Sequence, residues 1–235
     1  MHEGQQHQIP ETRHTHQKTV KQKELKALEK IDCTGVILAG GCNSRFPGIN
    51  KTFHRVGEKT MLDRIHTLFS MMFKEVMLVV NDPALFLDIN ALVVTDIDPS
   101  RCALAGLHAG LFHASFDWSY VTACDIPFVS ETIIRHLLAQ RIPGKQVVIP
   151  KTREGLEPLS ALYHKSCLPR IETNLEKKVF MIKKIFKPER IRQIPPQILE
   201  ALDPDLRFKF NVNTPADLET ARGMVCRGQE QKGDR

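Results

Sequence analysis

From Thr34 onward the chain alternates between short apolar runs and segments in which apolar residues recur at helical spacing. Short continuous apolar runs are typical of strands buried on both faces, and successive parallel strands require a crossover that is usually a helix. Strands are predicted at residues 35–39, 75–80, 91–95, 119–123 and 146–149, and helices at 61–72, 104–112 and 133–138. The alternation therefore predicts an α/β fold with a doubly wound, mostly parallel sheet in a Rossmann-like three-layer arrangement.

The 235 residues are 42% hydrophobic and 26% charged, which is the balance of a globular chain with one main domain. We predict a polar, mobile N-terminal extension over residues 1–32, a folded domain over 33–225 and a polar C-terminal tail over 226–235. No apolar run approaches the ~20 residues of a membrane span, and the first residues lack the apolar centre of a secretory signal. We therefore expect a cytoplasmic protein without membrane contact, whose six well-separated cysteines are reduced thiols.

The net charge of +6 favours an anionic partner, which could be a nucleic acid or a phosphorylated small molecule. Aromatic residues make up only 6% of the chain, and no repeat of aromatic and basic residues occurs. Proteins that bind single-stranded nucleic acid usually stack bases on such aromatic platforms. Composition therefore favours the small molecule.

The first predicted strand ends in two adjacent glycines, Gly40 and Gly41. Glycines permit backbone torsions that let amide N–H groups approach a phosphate closely. The loop is not a P-loop, because Ile49 and Asn50 separate its last glycine from Lys51. Two cations on the loop, Arg45 and Lys51, suit a polyphosphate. The alternative is that both are ordinary surface charges.

Polar residues follow the other predicted strands. Asn81 follows the second strand, Asp96 the third, and Asp125 follows the buried-looking run at 120–123. In doubly wound sheets ligands bind beyond the carboxyl ends of the strands, so these side chains are candidate site residues. Mg²⁺ is commonly held by one or two carboxylates together with substrate phosphates, a role that suits Asp125. The structural alternatives are a helix cap or turn for Asp125 and a loop acid for Asp96.

Several motifs, in order, resemble those of the molybdenum cofactor guanylyltransferases, the MobA family of nucleotidyltransferases. They are "LAGG" at 38–41 with Ser44-Arg45 and Lys51, then Asn81, Asp96, "LAGLHAGL" at 104–111, "CDIPFV" at 124–129, "EPLSALY" at 157–163 and "NVNTPADL" at 211–218. The similarity runs in register across residues 34–221. The resemblance implies transfer of GMP from GTP to the terminal phosphate of molybdopterin, with release of pyrophosphate and with Mg²⁺ as the cofactor.

The resemblance also implies roles for individual residues. Carried over by position, the nucleotide-binding residues are Leu38, Ala39, Gly40, Gly41, Lys51, Asn81, Asp96 and Asp125. Asp125 would be the metal ligand, and Arg45, Lys51 and Asp125 would be the catalytic residues. Asn213 would face the transfer site. The substrates would be GTP and molybdopterin, and transient contact with molybdoenzymes or their chaperones is a further expectation.

Three residues depart from the family pattern: Asn50 stands where an aspartate is common, and Cys102-Ala103 replaces Gly-Pro. Gly41 favours the guanine-using branch, because related cytidylyltransferases tend to read Ala-Ala-Gly at 39–41. Transfer of CMP to the same pterin, transfer to a sugar phosphate, and a non-enzymatic nucleotide-sensing or nucleic-acid-binding role remain as alternatives. The basic segment 177–192 is either a solvated amphipathic face or a contact for the anionic pterin.

Overall fold

The computed structural model describes residues 29–40 and 51–233, and of Lys51 and residues 227–233 it describes the backbone alone. Its centre is an eight-stranded sheet. The strands of the chain are β1 Ile31–Leu38, β2 Arg55–Val56, β3 Lys59–Thr60, β4 Phe73–Val80, β5 Leu92–Thr95, β6 Trp118–Ala123, β7 Val147–Thr152, β8 Gly155–Leu156, β9 Ser160–His164 and β10 Ile191–Ile194. β2 and β3 form a separate two-stranded sheet.

The strand order of the main sheet is β10-β7-β9-β6-β1-β4-β5, with β8 paired to β7 outside this path. The pairs β1–β6, β4–β5 and β7–β10 are parallel. β9 is antiparallel to both of its neighbours, β6 and β7. β8 is also antiparallel to its partner β7. The predicted α/β fold with a mostly parallel sheet is therefore confirmed, with two reversed strands, β8 and β9, that the periodicity did not predict.

Helices connect the strands and cover the sheet. They are α1 Met61–Met72, α2 Ala103–His113, α3 Glu131–Ala139, α4 Leu168–Glu176, α5 Ile182–Ile185, α6 Pro196–Leu202 and α7 Pro215–Gly233. β1 begins at Ile31, just inside the segment predicted as an extension, and the backbone of α7 continues through the segment predicted as a tail from residue 226. No helix in the described part of the chain is long and apolar enough to cross a bilayer.

Helix α2 lies unusually close to β1, and glycine makes this approach possible. A Cβ atom added to Gly110 would lie 2.7 Å from Cγ1 of Val36 on β1, and one added to Gly106 would lie 3.3 Å from Cδ2 of Leu38. The helix is apolar on all sides, with Leu104 and Leu107 fully buried. This packing brings the first turn of α2 to the carboxyl end of β1.

Candidate functional site

The carboxyl ends of β6, β1, β4 and β5 meet at one edge of the sheet and enclose a pocket. Its described lining residues are Leu38, Ala39, Gly40, Thr52, Val79, Asp96, Arg101, Cys102, Ala103, Gly106, Ala123, Cys124, Asp125 and Leu159. Five of the predicted nucleotide-binding residues, Leu38, Ala39, Gly40, Asp96 and Asp125, are therefore brought together. Gly41 and Arg45 lie outside the described residues, as does the side chain of Lys51.

The turn after β1 is tied to β4. The backbone N–H groups of Ala39 and Gly40 both donate to the carbonyl of Val79, at 2.8 and 3.0 Å. A Cβ atom on Gly40 would lie 2.8 Å from Oδ1 of Asn81, closer than real Cβ contacts occur. Only glycine at residue 40 allows the turn to approach the Asn81 side chain this closely. Because Gly40 lines the pocket, Asn81 lies at its rim.

Asp96 lies on the third side of the pocket, next to the first turn of α2. Its Oδ1 is 3.7 Å from the position that a Cβ on Gly106 would take. Burial, and to a smaller extent the neighbouring Asp98, raise the pKa of Asp96, while Arg101 opposes the rise. Ionised Asp96 therefore lies in an environment that stabilises its charge poorly, and a hydrogen-bond donor on a ligand would relieve this cost.

Asp125 lies two residues after the end of β6 and is half-buried. The N–H of Cys124 donates to the carbonyl of Leu38 at 2.9 Å, so the chain leaves β6 beside the glycine turn. On its other side, the N–H of Val212 donates to the carbonyl of Asp125 at 2.8 Å. The buried Val212 therefore anchors the turn that carries Asn213 against Asp125.

The turn at Asn213 also starts helix α7. Oδ2 of Asp217 accepts hydrogen bonds from the N–H groups of Asn213 and Thr214, at 3.0 and 2.8 Å, and the Asp217 N–H donates to Oγ1 of Thr214 at 3.2 Å. This reciprocal pair is a capping box. The hydrogen bonds, first with Thr214 and then with the backbone of Asn213, lower the pKa of Asp217.

A contact that sequence reasoning missed joins Thr52 to Cys124, the residue before Asp125. Thr52 is 1% exposed, and its Oγ1 lies 3.5 Å from Sγ of Cys124, 72 residues later in the chain. The backbone of Lys51 immediately precedes Thr52 in a short 3₁₀ helix. Lys51 precedes Thr52 in the chain and Asp125 follows Cys124. The contact between Thr52 and Cys124 therefore brings the backbones of Lys51 and Asp125 close together. Arg101 is a further lining residue that no motif indicated, whereas Leu159 belongs to the motif at 157–163 but was not named as a site residue.

The donor set at this pocket can be compared with the needs of a magnesium ion. Among the described residues, no group of three or more His, Cys, Asp or Glu side chains could hold a metal ion. Mg²⁺ does not require such a cage, because substrate phosphates and water usually supply most of its ligands. Two carboxylates, Asp96 and Asp125, line the pocket, and Asp125, beside the turn that carries Asn213, fits this kind of site.

Comparisons of the sequence and of the structure with known proteins point to the same family. A family model described as the MobA-like NTP transferase domain matches residues 35–192. The molybdenum cofactor guanylyltransferase of Desulfosudis oleivorans is 37% identical over 196 residues, which are 83% of this chain and 97% of that protein. Among solved structures, molybdopterin-guanine dinucleotide biosynthesis protein A from Archaeoglobus fulgidus superposes with a TM-score of 0.73 at 27% identity, covering 83% of this chain and 99% of that one. The matched segment contains the turn after β1, Asn81, Asp96 and Asp125.

Proposed function

The chain belongs to the MobA-like NTP transferase family, and from this premise we propose that it transfers GMP from GTP to the terminal phosphate of molybdopterin carrying molybdenum. The products are the guanine dinucleotide form of the cofactor and pyrophosphate. The observation that carries this proposal is the convergence of Gly40, Asp96 and Asp125 in one pocket at neighbouring strand ends. The names of the relatives supply the substrates.

The nucleotide lies, in this proposal, across the ends of β1, β4 and β5. The small residues Ala39 and Gly40 leave room for the guanine and the phosphates, and we assign Leu38 and Gly41 to the same nucleotide contact. Asn81 and Asp96 contact the base or the ribose, where the Asp96 carboxylate accepts hydrogen bonds from ligand N–H or O–H groups. Because Gly40 lies so close to Asn81, a larger side chain at residue 40 would disturb the contact that Asn81 makes with the nucleotide.

The chemistry asks little of the protein beyond position and charge. The second pKa of a phosphate monoester is near 6, so the acceptor phosphate is already a dianion at neutral pH and needs no general base. One of its oxygens forms a bond to the α-phosphorus of GTP, the bond from that phosphorus to the bridging oxygen breaks, and pyrophosphate leaves with the electron pair. Lys51 and Arg45 contact the departing phosphates and neutralise their charge.

Asp125 is the residue we assign to hold Mg²⁺, with Asn213 as its neighbour on the facing turn. When bound, the ion supplies positive charge that screens the phosphate oxygens and helps to orient them. The hydrogen bond from Val212 to the Asp125 carbonyl fixes the backbone beside this carboxylate. The cytoplasm, which contains the GTP pool, is the compartment that we propose for the reaction, and delivery to molybdoenzymes or their chaperones would follow there.

The base can be tested by thermal denaturation of the protein with Mg²⁺ and equal concentrations of GTP, CTP or UTP. Only a ligand that binds the native state raises Tm, so we expect the largest increase with GTP. An equal or larger increase with CTP would replace the proposal by transfer of CMP. Tight, salt-sensitive binding of RNA or DNA without any nucleotide effect would favour the non-enzymatic alternative instead.

Lys51→Ala tests the charge role of the loop. Because Lys51 contacts phosphates in the proposal, the substitution lowers turnover strongly while the fold, measured by circular dichroism, is retained. Lys59→Ala, on the nearby hairpin, removes an exposed ammonium that interacts with Thr67 and is the matched control. Equal turnover in the two variants would contradict the assignment of Lys51.

A further inference from the structure

A second cleft lies at the sheet edge opposite the candidate site. Its floor includes the paired residues Trp118, at the start of β6, and His164, at the end of β9. The cleft encloses about 440 Å³, which is within the ~300–1,000 Å³ of small-molecule sites. Because β6 spans six residues at about 3.3 Å each, roughly 17 Å of strand separate the two clefts.

This cleft is lined by Trp118, by His164 and by three cations, Arg141, Lys145 and Arg190. We call it the basic cleft. The lining residues include no Asp or Glu. Within residues 29–40 and 51–233, none of the three cations forms an ion pair. A cluster of like charges without a carboxylate is unfavourable, and an anion in the cleft would relieve the repulsion.

The cations are held in place by backbone carbonyls rather than by acids. Nε of Arg141 donates to the carbonyl of Leu138 at 2.9 Å, and Nζ of Lys145 donates to that of Glu189 at 2.8 Å. Nη1 of Arg190 donates to the carbonyl of Gly144 at 3.3 Å. A guanidinium has five N–H donors and an ammonium three, so each group is fixed by one bond and keeps others for a ligand.

His164 adds a ring nitrogen to this set. The N–H of Ser166 donates to Nδ1 of His164 at 3.1 Å, so Nε2 is the ring nitrogen that carries a proton and can donate to a ligand. The His164 ring packs edge-on against the Trp118 indole, with ring centroids 5.1 Å apart. This contact, with the strand pairing beneath it, holds both rings in position.

We propose that the basic cleft binds a small phosphate-bearing anion, independently of the nucleotide site. Phosphate oxygens match the geometry of the two guanidinium groups, which can each donate two parallel hydrogen bonds, while the ammonium acts as a point charge. The ligand is either inorganic phosphate or the phosphate group of a sugar or nucleoside ester. This inference does not depend on the proposed transferase activity.

The chain provides its own reporter, because Trp118 is the one tryptophan in the sequence. We would titrate the full-length protein with inorganic phosphate and, separately, with ribose 5-phosphate, and follow tryptophan emission. Sodium chloride keeps ionic strength constant, and a chelator is added without nucleotide, so that a metal-dependent site does not contribute. A saturable change in emission is expected, with tighter binding of the ester if the ligand is a metabolite and equal binding if it is inorganic phosphate.

Arg190→Gln is the decisive variant, because this side chain is exposed and its loss leaves the core intact. We expect half-saturation to require about tenfold more phosphate, the effect of one lost charged hydrogen-bond pair. Arg153→Gln, at the opposite edge of the sheet, removes an exposed guanidinium of equal charge and should titrate like the unmodified chain. The proposal is overturned if chloride alone reproduces the emission change, or if the two variants titrate identically.

Discussion

The two edges of the central sheet differ in charge. At the carboxyl ends of β5 and β6 the pocket carries two carboxylates, Asp96 and Asp125, and one guanidinium, Arg101, whereas the opposite edge carries Arg141, Lys145 and Arg190 without a carboxylate. A polyphosphate can approach the acidic edge only with compensating cations, which in our account are Arg101, the loop residues Arg45 and Lys51, and a bound metal ion. Phosphate binding at the basic edge needs no such ion. The comparison therefore predicts that the nucleotide binds at the acidic edge only with a metal ion, and that phosphate binds at the basic edge without one.

The largest effect is expected for Asp125→Asn, which keeps the shape of the side chain and removes its charge. Turnover should fall on the order of 10³-fold, the scale of losing one charge-stabilising group in an active site. The variant should also lose the magnesium dependence of GTP binding, measured by thermal shift with and without a chelator. Asp88→Asn removes an exposed acid far from any assigned role and serves as the control. Full activity in Asp125→Asn would contradict the metal-binding role of Asp125 and, with it, the metal dependence that we expect at the acidic edge.

The next effect is steric and concerns the turn after β1. In Gly40→Ala the new Cβ meets Oδ1 of Asn81 at 2.8 Å, so the turn or the Asn81 side chain must move. We expect KM for GTP to rise about tenfold, which corresponds to about 1.4 kcal/mol, while phosphate binding at the basic edge is unchanged. Gly223→Ala is the matched control, because no atom lies within 4 Å of its added Cβ. Equal KM values for the two variants would show that the turn does not contact the nucleotide.

Asp96→Asn should have opposite effects on the stability of the fold and on the affinity for GTP. Burial first, and then Asp98, raise the pKa of Asp96, so the stability contributed by its neutral form is fully present below the ordinary pKa near 3.9 and is lost as pH rises through the raised value. The neutral variant should therefore gain about 1–2 °C in Tm at pH 7, as expected for roughly 0.5 kcal/mol in a domain of this size after solvent screening. The gain should vanish in acid, where both chains are neutral at this position. At pH 7 the same variant should bind GTP more weakly, and unchanged affinity would contradict its place at the nucleotide.

The last effect concerns stability alone, through the capping box that holds Asn213. The pKa of Asp217 is lowered by its hydrogen bonds with Thr214 and Asn213, so its stabilisation is present above the ordinary pKa near 3.9 and is lost as pH falls through the lowered value. Asp217→Ala should cost about 1 kcal/mol at pH 7, or about 2–4 °C in Tm, and less below pH 4. Glu219→Ala removes an exposed ion pair on the same helix and should shift Tm little. A pH-independent difference between Asp217→Ala and the unmodified chain would exclude the capping role.

Much of the acidic edge could be predicted from local sequence. The runs that became β1, β4, β5 and β6 are short and apolar, and parallel strands present their carboxyl ends together, so the polar residues after them had to meet. Asp125 was recognisable because it directly follows a buried run. Each of these predictions depends only on a strand and on the few residues that follow it in the chain.

The rest depends on pairing between distant segments. β9 runs antiparallel between β6 and β7, and its residues 160–164 carried no period that set its direction. The contact between Thr52 and Cys124 joins loops 72 residues apart. The basic cleft draws its lining from the start of β6, the end of β9 and the loops before β7 and β10, so no single motif in the sequence could indicate it.

The central claim is that this chain transfers a guanylyl group, and the fate of the α-phosphorus tests it most directly. The protein would be mixed with Mg²⁺, molybdopterin carrying molybdenum, and GTP labelled at either the α- or the γ-phosphorus. We predict that the α-label appears in a dinucleotide of the pterin and that the γ-label appears in pyrophosphate. The account is contradicted if no dinucleotide forms, if the γ-label is released as inorganic phosphate, or if CTP gives more product than GTP.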